Sequence, residues 1–236
     1  MTAEQKVAVI SGASQGIGAA LVRAYRELGY LVVANSRTIR QSPDDGVLTV
    51  AGDIGHRAVA QRVIAMGVER FGRIDTLINN AGVFVAKPFD LYTLEEFEVL
   101  SRTHLAGFFH ATQLAVAEME RHGSGHVVSI TTSLLDQANS NVPSVLTSLT
   151  KGGIAAATLS LAIEYAKRGI RVNAVSPGVI KTPMHAPETH AALARLHPVG
   201  RMGEIADIVN AILYLEAAEF VTGEILHVDG GQSAGH

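Results

Sequence analysis

Cysteine is absent from the 236 residues of this sequence, which excludes disulfides, thiolate metal ligands and a cysteine nucleophile. An excess of charge is also lacking, because charged residues make up 17% of the chain and the formal net charge is -3. We therefore expect neither a nucleic-acid partner nor a disordered polar tail. Hydrophobic residues make up 47% of the chain, and this composition at this length predicts one domain over residues 1–236.

A long hydrophobic run is likewise lacking near the amino terminus. Residues 1–6 are polar, and the apolar run after them is soon interrupted by glycine. Neither a signal peptide nor a membrane span is predicted there. We expect a cytoplasmic protein with no membrane partner, and we predict no metal site.

Short runs rich in valine and isoleucine alternate with segments of helical period along the whole chain. The predicted strands are residues 7–11, 31–35, 47–52, 76–79, 126–130, 171–176 and 224–228. Each is nearly continuous in apolar residues, which is typical of parallel strands covered on both faces by helices. The sequence therefore predicts an α/β fold, a doubly wound parallel sheet of about seven strands with its ligand crevice at their carboxyl ends.

One predicted helix begins at a capping box formed by Thr93 and Glu96 and runs to about His122, with His104 in its apolar stripe. Residues 182–203 are rich in proline, histidine and glycine. They predict a long loop with a short helix that could cover the crevice.

A second helix is predicted from residue 143 or 144 to Arg168, with Gly169 as its terminating residue. It places Thr147 and Lys151 four residues apart, and therefore on one face.

The sequence SGASQGIG, residues 11–18, follows the first predicted strand and opens an amphipathic helix that ends near Gly29. Glycine suits a tight turn there, and it lets backbone amides approach a phosphate at the start of the helix. A strand before the turn and a helix after it favour a dinucleotide site over an ordinary turn.

Three more motifs follow later predicted strands: NNAG at 79–82, PG at 177–178 and VDGG at 228–231. Together with the GxxxGxG spacing, they resemble the motifs of the classical short-chain dehydrogenase/reductase family, in the expected order over nearly the full chain. The resemblance implies a Rossmann-type fold, a nicotinamide cofactor and a small-molecule substrate.

The resemblance also implies a set of cofactor-binding residues on the glycine turn, the strand ends and the loop after the sixth strand. The set is Gly12, Ser14, Gln15, Gly16, Ile17, Gly18, Ser36, Arg37, Asp53, Ile54, Asn80, Ala81, Gly82, Lys151, Pro177, Gly178, Ile180 and Thr182. By the resemblance, Asp53 and Ile54 approach the adenine, and Thr182 meets the nicotinamide carboxamide. Asn79, Asp53 and Asp229 have an alternative interpretation as turn residues, because Asn and Asp at strand ends commonly bond their own backbone.

The end of the second predicted strand lacks the carboxylate that would accept hydrogen bonds from the ribose of NAD. Ser36 and Arg37 stand there instead and could bind the 2′-phosphate of NADP, so NADP is favoured over NAD. Two points oppose this. Many NADP-binding relatives carry a basic residue where this chain has Gln15, and Arg37 could be a solvated loop cation. The link from Arg37 to Val47 is too short for the usual full helix.

The family's catalytic set is an Asn on the long helix, a Ser after the fifth strand, and Tyr-x-x-x-Lys on the next helix. By resemblance the lysine is Lys151, whereas the other three positions fall on His104, Thr132 and Thr147. Ser133, next to Thr132, could substitute after a small shift. Thr147 is the serious change, because an aliphatic hydroxyl does not ionise in the accessible range and is shorter than tyrosine.

Two functions therefore stay open. The chain is either an NAD(P)(H)-dependent oxidoreductase acting on a carbonyl or alcohol, or a catalytically silent NADP(H)-binding sensor or structural subunit. In the enzyme, His104 or a water held by Thr147 and Lys151 supplies the proton. The alternative interpretation of His104 is a structural histidine whose hydrogen bonds are satisfied within the apolar stripe of its helix. The resemblance implies a homodimer or homotetramer built on the two long helices.

Overall fold

Seven parallel strands form one sheet in the order β3-β2-β1-β4-β5-β6-β7. The structure is a computed structural model that describes residues 5–235, so residues 1–4 of the polar amino-terminal stretch lie outside it. The strands are Val7–Ser11 (β1), Leu31–Ser36 (β2), Val47–Ala51 (β3), Thr76–Asn79 (β4), Gly125–Ile130 (β5), Ile170–Pro177 (β6) and Ile225–Val228 (β7). The predicted doubly wound parallel sheet is confirmed, and each strand end lies within one residue of its predicted position.

Within residues 5–235, seven α-helices connect and cover the strands. They are Gly16–Glu27 (α1), Arg57–Phe71 (α2), Leu94–Leu100 (α3), Gly107–His122 (α4), Val145–Tyr165 (α5), His190–Ala194 (α6) and Ile205–Ala217 (α7). α3 begins at the predicted capping box, in which Thr93 accepts from the Glu96 amide and Glu96 accepts from the Thr93 amide. After α5 a single 3-10 turn leads to Gly169, whose φ of 75° ends the helical segment as predicted.

The predicted long helix from Thr93 to His122 is not uniform. A π-helical segment, Ser101–Ala106, separates α3 from α4 and contains His104. Hydrophobic periodicity did not reveal this wider turn, because the apolar stripe continues across it. Wider turns of this kind are often found at functional sites.

The core lies in two layers, one on each face of the sheet. One layer packs α2, α4 and α5 against residues such as Val33 and Leu77, and the other packs α1 and α7 against residues such as Ala34 and Ile78. The segment Val145–Arg168 is long and apolar enough to cross a membrane by length and composition. In this fold its apolar character is explained partly by burial, because Ala162 belongs to the first layer.

Two connections bear on the crevice at the carboxyl ends of the strands. Residues 37–46 form a loop without a helix between β2 and β3, as the short spacing predicted. Residues 182–203 form the predicted long loop, which holds the short helix α6 and a 3-10 turn, Pro187–Thr189.

Candidate active site

The turn after β1 is shaped by its three glycines. Gly12 and Gly16 have φ angles of 67° and 55°, a conformation that residues with a side chain adopt only at a cost. A Cβ on Gly18 would lie 2.2 Å from the carbonyl oxygen of Gly12. α1 begins at Gly16 with no acidic residue in its first turn and no side-chain cap from Gln15. The N–H groups at the start of α1 are therefore available to an anion.

Ser11 and Asn80 join the glycine turn to the end of β4. The Ser11 hydroxyl accepts from the backbone N–H groups of Asn80 and Ala81, both at 3.1 Å. The Asn80 amide donates to the carbonyl oxygen of Ser11 at 2.9 Å. Asn79 points to the other side, where its amide donates to Thr112 Oγ1 at 3.0 Å. Asn79 thus ties the end of β4 to α4, and Asn80 ties it to the glycine turn.

The loop after β6 forms the opposite wall of the crevice. A Cβ on Gly16 would have Thr182 Cβ as its nearest atom, at 3.6 Å. The base of this loop is fixed by a bridge between Ile180 and Gly203, and by the Val179 N–H, which donates to Nε2 of His197 at 2.9 Å. The side chains of Thr182 and Pro183 therefore face the start of α1 across the crevice.

Pro177, Gly178 and Asp229 support this loop from below. Pro177 is the last residue of β6, and the Gly178 N–H donates to the Val228 carbonyl at 3.1 Å. The Asp229 carboxylate accepts from the N–H groups of Gly231 and Ser233. This is the turn role foreseen for Asp229.

Beyond β3, Asp53 is also a turn residue. Its carboxylate accepts from the Gly55 N–H at 2.9 Å and lies 3.5 Å from Nε of Arg102. The Ile54 side chain is buried in the core. The Ser36 hydroxyl is buried and has no hydrogen-bond partner in the described part of the chain, whereas Arg37 is exposed.

Lys151 and His104 meet beside Gly82 at the end of β4. A Cβ on Gly82 would lie 3.4 Å from Nε2 of His104 and 3.6 Å from Nζ of Lys151. Nζ of Lys151 donates to the Ile130 carbonyl at 2.6 Å. Burial lowers the pKa of Lys151 to about 8, so this ammonium can release its proton near neutral pH.

His104 is committed to structure at both ring nitrogens. Nε2 accepts from the Val83 N–H at 3.1 Å, so the ring proton sits on Nδ1, which lies 2.8 Å from Thr150 Oγ1. The Thr150 hydroxyl in turn donates to the Leu146 carbonyl. Burial and then the Lys151 charge lower the pKa of His104 to about 3. The imidazole is therefore neutral, and both of its nitrogens are hydrogen-bonded.

The remaining hydroxyls of the site differ in availability. Ser133 is buried and donates to Oε1 of Gln232 at 3.1 Å. Thr132 is partly exposed and caps a 3-10 turn by accepting from the Leu134 N–H. The Thr147 hydroxyl is buried and has no hydrogen-bond partner within residues 5–235, on the same helix face as Lys151. The structure thus brings Thr147, Lys151 and His104 together and leaves Thr132 the more accessible of the two predicted hydroxyls after β5.

Residues 12–233 match the family described as Enoyl-(Acyl carrier protein) reductase. The chain belongs to the short-chain dehydrogenase/reductase family. It is 32% identical over 253 residues to the 3beta-hydroxysteroid dehydrogenase 1 of Eggerthella lenta, covering 97% of this chain and 94% of that protein. It is 32% identical over 247 residues to a 3-oxoacyl-(acyl-carrier-protein) reductase of Thermotoga maritima, covering 98% and 99%.

Solved structures of this dehydrogenase/reductase fold include cofactor complexes. The 3-ketoacyl-(acyl-carrier-protein) reductase of Brucella melitensis complexed with NADH superposes with a TM-score of 0.90 at 28% identity, covering 98% of this chain and 99% of that one. The NADP-bound structure of ElxO gives a TM-score of 0.90 at 26% identity, covering 98% and 100%. Both nicotinamide cofactors therefore occur among these neighbours.

Several residues that shape the dehydrogenase/reductase site were missed by sequence reasoning. Ser11, Thr150 and Gln232 are polar residues whose hydrogen bonds tie site elements together. The signal for Thr150 was present, since it lies on the buried face of α5 between Thr147 and Lys151. Gln232 carried no local signal, because its partner Ser133 is 99 residues away.

Proposed function

We propose that this chain is an NADP(H)-dependent oxidoreductase that interconverts a carbonyl and an alcohol, with Lys151 as the source of the proton. The observation that carries the proposal is the buried Lys151 ammonium beside the glycine-turn crevice, with a pKa of about 8. Bound NADPH would supply the hydride from its nicotinamide ring. The chain must then supply one proton to the carbonyl oxygen.

The cofactor would be held by the predicted set. The amides of Gly16, Ile17 and Gly18 at the start of α1 would bind the pyrophosphate. Thr182 would face the nicotinamide from the opposite wall, and Asp53 and Ile54 would border the adenine. Arg37 would favour NADP, because an exposed guanidinium at the end of β2 attracts a 2′-phosphate and no carboxylate stands at that strand end.

Two observations favour Lys151 over His104 as the proton source. Both nitrogens of His104 are bonded within the protein, and its protonated form is depleted at neutral pH because its pKa is about 3. Thr147, at the position of the family tyrosine, cannot ionise usefully. Its unpartnered hydroxyl is one helical turn from Lys151 and would hold a water that passes the lysine proton to the substrate oxygen. The neutral amine would then recover a proton from solvent.

The substrate would enter between the loop 182–203 and the segment after β5. Leu134, Leu135 and Val142 are partly exposed there, and Val145 is exposed at the start of α5. An apolar lining of this kind is usual for a small-molecule site. We further propose a cytoplasmic homodimer or homotetramer, since the outward faces of the long helices carry exposed apolar side chains.

A silent NADP(H)-binding protein is the second candidate. Two side chains that could replace the family's catalytic groups are already hydrogen-bonded within the protein, and this favours the silent protein. Ser133 is bonded to Gln232, and His104 is bonded to Thr150. A sensor or structural subunit needs the glycine turn and no proton donor. Cofactor binding and turnover, measured on the same protein sample, distinguish the two functions.

The experiment combines a binding titration of NADPH and NADH with absorbance assays of NADPH against a panel of ketones and quinones. We expect tighter binding of NADPH and a slow reductase activity that falls as the pH rises through about 8, because Lys151 must be protonated. Lys151→Met should abolish turnover, whereas His104→Asn should retain it. NADPH binding without turnover on any substrate would favour the silent protein, and turnover that survives Lys151→Met would reject Lys151 as the donor.

A further inference from the structure

Three candidate proton donors of the active site are each held by hydrogen bonds within the protein. The imidazole of His104 is neutral and bonded at both nitrogens. The Ser133 hydroxyl donates its proton to Oε1 of Gln232. Lys151 is buried, and its Nζ donates to the Ile130 carbonyl at 2.6 Å. Under the proposed function, the proton of Lys151 therefore reaches the substrate only through a water.

The Thr132 hydroxyl can donate a hydrogen bond but cannot serve as an acid. Thr132 is partly exposed, and its oxygen accepts from the Leu134 N–H at 3.4 Å, which leaves its own proton for a ligand. Because Lys151 is bonded to Ile130, two residues before Thr132, a positive charge lies near this donor. A neutral donor beside a positive charge stabilises a negatively charged oxygen but does not protonate it.

Carbonyl compounds differ greatly in the oxygen that hydride addition produces. A simple ketone gives an alkoxide, whose basicity is close to that of hydroxide, the conjugate base of water with its pKa of about 15.7. A quinone gives the anion of a hydroquinone, a phenolate similar to ionised tyrosine, whose pKa is about 10. The phenolate is less basic by about five to six pKa units, because the ring delocalises its charge. It can therefore form before a proton arrives through a water.

The walls beside this oxyanion site are apolar. Leu134 and Leu135 follow soon after Thr132 and are partly exposed, and Val145 is exposed at the start of α5. Leu135 packs over α5, because a Cβ on Gly152 would lie 3.6 Å from Cδ2 of Leu135. Apolar walls with a polar group at one end suit an aromatic ring that carries its oxygens at the edge.

We propose that the substrates of this site are quinones, and that the Thr132 hydroxyl and the charge of Lys151 stabilise the phenolate oxygen of the product. The inference rests on the proposed NADP(H)-dependent oxidoreductase function and names its substrate class. The quinone accepts a hydride, two electrons with one hydrogen, from NADPH and becomes the monoanion of the hydroquinone, while NADPH becomes NADP⁺. The phenolate oxygen then takes one proton from Lys151 through a water, which completes the hydroquinone.

The kinetic test compares 2-methyl-1,4-naphthoquinone with 1-tetralone, a ketone with two fused rings whose hydride adduct is an alkoxide. After subtraction of the reaction without protein, we expect kcat/KM to be about a hundredfold or more higher for the quinone. The chain has no cysteine, so the quinone is not consumed by thiols. Thr147→Tyr supplies an acid to the ketone and should lower the quinone-to-ketone ratio by about tenfold or more. Thr147→Phe should leave this ratio near its wild-type value.

A binding test needs neither cofactor nor turnover. The phenolate form of 4-nitrophenol is coloured and the phenol form is not, so its absorbance across pH reports which form the protein binds. We expect binding to lower the pKa of 4-nitrophenol. Thr132→Val removes the hydroxyl at nearly constant volume and should weaken phenolate binding by about tenfold. Thr38→Val, on an exposed residue of the loop after β2, is the matched control and should not change it.

The outcomes separate the substrate class from the proposed function. A wild type that reduces 1-tetralone as efficiently as the quinone would overturn the quinone assignment, while the oxidoreductase function would stand. If the wild type binds NADPH and reduces neither compound, both fail. Phenolate binding that Thr132→Val does not weaken would overturn the role of Thr132.

Discussion

At the scale of single residues, the properties of the site depend on which polar groups are not already hydrogen-bonded within the protein. His104 and Ser133 looked like candidate donors in the sequence, but each is bonded inside the protein. Thr147 has a buried hydroxyl with no partner, and Lys151 has a proton that it can release near neutral pH. Under the proposed function, the reaction would therefore depend on Thr147 and Lys151, both on α5.

Replacing Thr147 with tyrosine tests whether the site lacks a general acid. A phenol at this position would lie one helical turn from Lys151, whose charge lowers a phenol pKa. We expect Thr147→Tyr to raise carbonyl reductase activity by about a hundredfold, the usual size of a general-acid contribution. The measurement is kcat/KM for NADPH-dependent ketone reduction.

Thr147→Phe is the control for this substitution, because it adds the ring without the hydroxyl. It should give no gain. Equal activity in the tyrosine and phenylalanine variants would show that acid catalysis is not what Thr147 lacks.

At the scale of elements, the turn from β1 to α1 combines backbone strain with function. Gly16 has a left-handed φ of 55° and faces the crevice. We expect Gly16→Val to abolish NADPH binding, because a branched side chain would occupy the phosphate position or open the turn. Nicotinamide fluorescence on titration with NADPH measures the loss.

Gly29 provides the matched control for the strain itself. Its φ is 84° and a Cβ there would meet nothing within 4 Å. Gly29→Val should therefore cost stability by a similar amount, about 1–2 kcal/mol, while NADPH binding stays normal. Normal NADPH binding by Gly16→Val would mean that the turn is structural.

At the scale of the whole molecule, one carboxylate ties together elements far apart in sequence. Glu216 on α7 accepts hydrogen bonds from Tyr25 Oη on α1, Tyr30 Oη, Thr76 Oγ1 on β4 and Nδ1 of His126 on β5, all between 2.9 and 3.1 Å. Burial alone would raise the pKa of Glu216, but these donors hold it below its usual range. The cluster lies away from the crevice, at the amino-terminal side of the sheet.

Glu216→Gln should destabilise the fold by about 3 kcal/mol, because a neutral amide accepts these bonds more weakly and adds donors that find no acceptor. Urea denaturation measures the change. Glu219→Gln, on an exposed residue, should change stability by less than about 0.5 kcal/mol. Equal losses of stability in the two variants would contradict the proposal that the hydrogen bonds of Glu216 stabilise the fold.

The same cluster sets an acid limit on stability. Burial lowers the pKa of His126, and Nε2 of His126 faces the Asn173 amide donor at 3.1 Å, so the ring is neutral when folded. The pKa values of His126 and Glu216 are both lower in the folded protein, so the unfolded chain binds more protons than the folded chain at acidic pH. Stability should therefore fall as the pH drops below about 6.5 for His126, and further below about 4.3 for Glu216. Thermal unfolding at a series of pH values measures this loss of stability. In Glu216→Gln the decrease in stability below about pH 4.3 should be smaller.

Assembly is the other property of the whole molecule. One face of α5 leaves apolar side chains exposed, including Leu149 at 58% and Ile163 at 80%, with Gly153 between them. We expect Leu149→Glu combined with Ile163→Glu to convert the oligomer to monomers, measured by analytical ultracentrifugation. Phe220→Glu, on a fully exposed residue after α7, should leave the oligomer intact. A wild type that sediments as a monomer would contradict the proposed assembly.

The sequence by itself determined the strands, the parallel sheet, the glycine turn and the pairing of Thr147 with Lys151 on one helix face. Each of these follows from local signals: apolar runs of strand length, glycines at fixed spacing, and a four-residue interval on a helix. The same local signals predicted the capping box at Thr93 and the end of the α5 segment at Gly169, because cap geometry depends on residues within one turn.

Only the tertiary structure decided which candidate side chains are free to act. His104 is hydrogen-bonded to Thr150, 46 residues away, and Ser133 to Gln232, 99 residues away. The pocket between the glycine turn and the loop 37–46 also depends on elements that are separate in the sequence. A hydrogen bond between distant residues has no periodicity in the chain, so the availability of a polar group is set by packing.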